Sequence, residues 1–163
     1  MFTSYLTMNI KFPRLPKAVL KVPPGFKKPK VADFKADMQK LGEEIAEDFK
    51  EKIIENIENN TYGFSIKEST ANKKGSSIPL INTHQLVDAI YREGTKVSVE
   101  NSSRKDSSLT NLQLAIVHEY GVKDKGIPAR PVWRNTYADF REEARKRVAT
   151  FLKRRKFNEG DND

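Results

Sequence analysis

Apolar side chains recur every three or four positions over residues 31–59, where Phe34, Met38, Leu41, Ile45, Phe49, Ile53 and Ile57 fall on one stripe. That period predicts a helix with one buried face. Asp33 is placed to cap its start, and Asn59-Asn60 with Gly63 mark its end. Glu43, Glu44, Glu47, Asp48, Lys50, Glu51 and Lys52 populate the other face. An isolated amphipathic helix of about eight turns is not stable, so the stripe requires a sheet or a second helix to cover it.

A second stripe, Trp133, Tyr137, Phe140, Ala144, Val148 and Phe151 or Leu152, predicts a helix over residues 131–156. Leu112, Ile116 and Val117 predict a shorter helix that ends at Gly121, where glycine supplies a left-handed residue. Residues 89–92 and 96–100 alternate as half-buried strands do, around Glu93-Gly94-Thr95, which reads as a hairpin. Leu80, Leu86 and Val87 anchor a short helix capped by Asn82, with Gln85 reaching back towards the cap. Residues 61–77 and 101–110 are polar and read as loops. Together these elements predict an α+β fold: two long amphipathic helices packed on a small antiparallel β-sheet, with an extended N-terminal arm.

The arm is residues 1–30. Pro13, Pro16, Pro23, Pro24 and Pro29 interrupt any helix, and Phe12, Leu15, Val19, Leu20, Val22 and Phe26 have no sustained period. Those apolar residues imply packing, along the chain's own domain or, the reading preferred here, on a neighbouring subunit. Residues 31–156 then form a single domain, and residues 157–163 a disordered acidic tail. At 163 residues the chain is long enough to bury a core.

Charge adds a second layer. The formal net charge is +8. Residues 11–30 hold Lys11, Arg14, Lys17, Lys21, Lys27, Lys28 and Lys30 with no acid, and a second basic block comprises Arg145, Lys146, Arg147, Lys153, Arg154, Arg155 and Lys156. Such blocks are solvated surface, or contacts for an acidic protein or for DNA. No run approaches the roughly 20 apolar residues of a membrane helix, and the opening MFTSYLTMNI has neither the basic start nor the apolar centre of a signal peptide. The absence of cysteine excludes disulfides and thiolate chemistry, and fits a reducing cytoplasm.

No catalytic constellation assembles from the sequence. The two histidines are His84 and His118; His118-Glu119 begins like a zinc-protease motif, but Val122 stands where its second histidine belongs. Gly63, Gly75 and Gly94 are isolated, so there is no phosphate-cradling loop, and Ser102, Ser103, Ser107 and Ser108 have no nearby base. No metal, cofactor or catalytic residue is expected. The organising stretch is residues 115–140: a helix end, a glycine stop, a short charged loop, then Ile127-Pro128-Ala129-Arg130-Pro131. Pro128 and Pro131 stiffen this corner, and Pro131 suits the first position of the next helix. Arg130 stands beside a helix N-terminus, where the dipole disfavours a cation, so it calls for a carboxylate, and Glu119 is the expected partner, within one subunit or between neighbours. Trp133 and Tyr120 read as core or corner-packing aromatics.

His118-Glu119-Tyr120-Gly121, a short spacer, Ile127-Pro128-Ala129-Arg130-Pro131 and an aromatic soon after resemble the signature of tailed-phage tail-completion proteins, the minor tail or neck components also described as virion morphogenesis proteins. A second matching segment is Pro79-Leu80-Ile81-Asn82-Thr83-His84-Gln85-Leu86. There the family usually has proline-leucine, an acid, threonine, glycine, glutamine and leucine, so Asn82 and His84 depart from the pattern. The resemblance covers residues 31–152. It implies an α+β virion structural protein without catalysis, assembled in the host cytoplasm. It further implies a ring of identical subunits, six in number, that joins the tail terminator or tail-tube protein to the head-side connector or stopper protein. Ring-lumen lysines and arginines would touch genomic DNA non-specifically. The alternatives are a tail terminator and a basic DNA-binding accessory protein.

Overall fold

The computed structural model describes residues 8–9, 31–81 and 83–158. The order is β1 (Met8–Asn9), α1 (Val31–Glu58), α2 (Glu68–Lys74), α3 (Gln85–Asp88), β2 (Ile90–Glu93), β3 (Lys96–Val99), α4 (Asn111–Tyr120), a 3-10 turn (Lys123–Lys125) and α5 (Val132–Asn158). The architecture is α+β. α1 is the middle layer: it lies against β2 and β3 on one side and along α5 on the other.

The stripe read for α1 is the core over its C-terminal half. Ile45, Phe49, Ile53 and Ile57 are fully buried with Ala46, whereas Phe34, Met38 and Leu41 are half-buried. Burying each such side chain is worth roughly 1.5–3 kcal/mol. Asp33 is not the cap. It lies inside the first turn of α1, where a carboxylate still complements the helix dipole. The helix ends at Glu58, and in the turn that follows Asn60, in the left-handed region at a φ of 47°, holds Phe64 through both a donated and an accepted bond.

β2 and β3 form an antiparallel hairpin with Ile90 opposite Val99 and Arg92 opposite Val97. Its loop is Gly94-Thr95, and Gly94, at a φ of 58°, occupies the position where a two-residue loop takes glycine. Ile90, Val97 and Val99 face α1, and Arg92 ties the sheet to that helix through Glu47 at 2.7 Å. β1 pairs with β3, so the strand order is β1-β3-β2 and two residues of the arm join the chain's own sheet. The rest of the arm and residues 159–163 lie outside the described residues.

Residues 61–77 are not loop throughout. Glu68–Lys74 form a seven-residue helix with no buried residue, its acid in the first turn and Lys73 and Lys74 in the last, stopped by Gly75 at a φ of 68°. Those end signals were in the sequence, but no apolar period accompanied them. The 101–110 segment is pinned by side chains. Arg104 binds Asp106 through two bonds, at 3.0 and 2.8 Å, and Asn111 at 2.7 Å. Thr110 and Gln113 form a reciprocal capping box at the start of α4.

Trp133 and Phe140 are buried as the second stripe predicts, joined by Val132 and Thr136. Tyr137 is exposed, touching Phe49 only edge-on at 6.3 Å between ring centres. A polar staple crosses the α1–α5 contact: Asn56 donates to Thr136 at 2.9 Å and to Tyr62 at 3.1 Å, and Tyr62 donates to Asp139 at 2.9 Å. Burial raises the Tyr62 phenol above its ordinary pKa.

Candidate functional site

α4 determines what the corner can do. Its buried face is Asn111, Ala115 and Glu119, while Leu112, Ile116 and Val117 are only half-buried. Glu119 is therefore turned inward, beneath the start of α5. The residue preceding that helix is Pro131, which has no side-chain acceptor for the free amides of the first turn. Glu119 supplies one from a distant element. Its Oε2 accepts from the Trp133 amide at 3.1 Å, and its Oε1 accepts from the Arg134 amide at 3.1 Å and from Arg134 Nε at 2.9 Å. A carboxylate at a helix N-terminus is favoured by the dipole, and here it is also 1% exposed, so the bonds form in a low dielectric.

The expected Glu119–Arg130 pair is thus replaced by Glu119–Arg134. Arg134 also donates to the Glu119 carbonyl at 2.8 Å and lies over the Tyr120 ring at 5.1 Å. Tyr120 is not a core residue: it is 51% exposed and serves as a platform for that guanidinium. Trp133 is core, and its indole N–H finds no partner among the described residues.

Gly121 is indispensable to this geometry. Its φ is 70°, and a Cβ would meet Ile127 O and Ala129 N at 2.7 Å. The chain doubles back so closely because Val122 and Ile127 exchange backbone bonds at 2.9 and 3.0 Å, closing a loop around the 3-10 turn. The Arg130 amide then donates to the His118 carbonyl. Pro128 is exposed and Pro131 half-buried; Pro131 immediately precedes α5 instead of opening it.

On the side of α4 next to Glu119, His118 and Arg130 face a cleft of about 450 Å³. Its other walls are α2, the segment containing Pro79 and Leu80, the Arg104–Asp106 loop and Ile127-Pro128. The two segments singled out in the sequence, roughly forty residues apart, therefore meet on one cavity. Arg130 Nη2 donates to the Ser65 carbonyl at 3.2 Å, and Nη1 lies 3.4 Å from His118 Nδ1. Lys74 donates to the carbonyls of Ile78 and Pro79 at 2.7 and 3.0 Å. Burial, then the positive charges of Arg130, Lys74 and Arg104, push the His118 pKa down to about 4, so the ring is neutral at pH 7. Burial and then Arg130 lower the Lys74 pKa, and burial lowers that of Arg130.

The second segment lines this cleft with Pro79 and Leu80 and anchors it to the core. Leu80 and Leu86 are buried, and Thr83 is exposed. Gln85 donates to Thr83 Oγ1 at 2.6 Å and accepts from the Lys105 amide at 3.1 Å, which ties α3 to the 104–106 loop. Asn82 lies outside the described residues, so its capping role does too; the residue preceding α3 is His84, which makes no side-chain cap bond. His84 and His118 do not share a site: His84 does not line the cleft. Among the described residues, no group of three or more His, Asp or Glu side chains could hold a metal ion.

The basic blocks separate. Lys17, Lys21, Lys27, Lys28 and Lys30 lie outside the described residues. Arg145 is exposed and paired with Glu142 at 2.6 Å, and Arg147 is turned onto Asp48 of α1. Lys146 and Arg154 are exposed, and Arg155 lies within α5. Sequence reasoning missed Lys74, Arg104 and Arg134. Nothing in local spacing distinguishes them from solvated cations, whereas the Thr110-to-Gln113 spacing was a legible cap.

Comparison with family models, with curated proteins and with solved structures found no match. Among the described residues no helix is long and apolar enough to cross a membrane.

Proposed function

We propose that this chain is a structural virion protein of the phage head–tail neck, of the tail-completion type. In this reading identical subunits form a ring that joins the tail to the head-side connector, without catalysis. The observation that carries it is the meeting of the two motif segments around one cleft, with the corner's defining residues each given a structural duty. Glu119 caps α5, Gly121 permits the backbone approach, and Arg130 lines the cleft. A further observation supports the resemblance. His84 stands where the family has glycine, and its φ is 55°, a conformation that glycine adopts at little cost and other residues seldom adopt.

The test is electron microscopy of a lysate in which this gene is interrupted. The expected result is filled heads beside unattached tails; normal complete virions would overturn the reading. The rival, a DNA-binding accessory protein, would rest on phosphate contacts from the exposed face of α5, with Lys146 and Arg154. It predicts steep loss of duplex affinity between low and moderate salt by a discrete monomer or dimer.

A further inference from the structure

The cleft carries more positive charge than its own side chains neutralise. Lys67, Lys74, Arg104 and Arg130 line it, and Asp106 is the one carboxylate among the lining residues. Asp106 is bound by Arg104, and Lys74 meets two carbonyls, which bring no counter-charge. Arg130 is 8% exposed, yet its Nε finds no partner among the described residues. A buried cation ordinarily has an anion and filled donors. Here Glu119, the carboxylate next to His118 in the chain, is committed to α5.

We propose that this cleft binds an acidic peptide segment from a second copy of the chain, with a carboxylate seated on Arg130 beside Lys74. For its second copy this rests on the ring reading above. The shape favours a peptide over a nucleic acid. Arg130 lines a recess together with Ile66, Leu80, Leu114 and Ile127, which suits a carboxylate on a narrow chain with apolar neighbours, whereas a duplex presents its phosphates on a convex surface.

Charge and reach identify the segment. Residues 159–163 are Glu-Gly-Asp-Asn-Asp, three acids in five. They lie outside the described residues and follow α5, whose 27 residues span about 40 Å away from the corner. Five further residues extend at most about 18 Å. The segment therefore cannot return to its own cleft, which leaves the cleft of a second copy as its place. A contact from one end of a subunit to the other end of the next is heterologous, the type that closes rings.

The experiment titrates a synthetic peptide of residues 157–163, acetylated and amidated at its ends, into the full chain at low salt. Binding is followed by NMR at the imidazole of His118, with His84 as the internal reference. The expected result is saturable movement of the His118 resonances with His84 unmoved. A peptide carrying E159Q, D161N and D163N should bind at least about ten-fold more weakly, as expected for loss of charge-assisted bonds. The same triple substitution in the full chain should weaken self-association by a similar factor in sedimentation, without touching the folded core. Equal binding of the neutral peptide, no response at His118, or a response to inorganic phosphate but not to the peptide would each overturn the proposal. These outcomes are independent of the microscopy: a chain that ignores the peptide yet leaves heads and tails unjoined when absent retains the neck reading.

Discussion

His118 and Glu119 are neighbours in sequence with opposite duties, because successive helical residues point about 100° apart. Glu119 serves the interior. Replacing it with Gln keeps its size but turns an amide towards donors, so Glu119→Gln should cost about 2 kcal/mol in urea unfolding. Arg134→Ala, which removes a half-exposed partner, should cost less, about 1 kcal/mol or below. His84 offers a test in the other direction. At a φ of 55°, His84→Gly should leave stability unchanged or raise it by up to about 1 kcal/mol, whereas the β-branched His84→Val should lower it by about 1–2 kcal/mol. Loss of stability in His84→Gly would show that the imidazole itself, not the backbone, matters there.

Among the elements, α1 and α5 owe their pairing to more than an apolar stripe. Phe49 and Phe140 stack at 5.6 Å between centres, but Asn56, Thr136 and Tyr62 set the register beside them. A buried amide that loses one partner bears a desolvation cost, so Thr136→Val should destabilise by about 1–3 kcal/mol despite its equal volume. Thermal unfolding monitored by circular dichroism reads this directly. α4 behaves differently again. Its buried line of Asn111, Ala115 and Glu119 is mostly polar, so hydrophobic spacing located the helix, and Leu112 and Ile116 pack against the core, but the most deeply buried line carries little apolar signal.

For the whole molecule, the cleft couples stability to pH. The cations facing His118 are Arg130 from the corner, Lys74 from α2 and Arg104 from the loop before α4. Burial, and then these cations, hold its pKa at about 4, against 6.5 in an unfolded chain. Above pH 6.5 both states are neutral and the shift contributes nothing adverse. As pH falls from 6.5 to about 4 the unfolded state binds the proton first, so stability is lost, by up to roughly 3 kcal/mol. Denaturant midpoints for wild type and His118→Gln should therefore diverge in that window. Parallel curves would show that His118 titrates normally.

Much of the architecture was legible because periodicity is local information. The stripes of Ile45 to Ile57 and of Trp133 to Phe140, the 90–99 hairpin and the glycine stop at 121 follow from spacing and turn chemistry alone, which constrain one segment at a time. Helix 68–74 escaped because a solvated helix has no buried face to imprint a period. Partner choice lay beyond the sequence for a geometric reason. Whether Glu119 meets Arg130 or Arg134 depends on how α5 leaves the corner, a matter of a few ångströms set by Gly121 and the Val122–Ile127 bridge. The sequence by itself determined the elements and the corner. Only the tertiary structure brought Lys74, Arg104, His118 and Arg130 to one cleft, because long-range packing alone can bury like charges together against their repulsion.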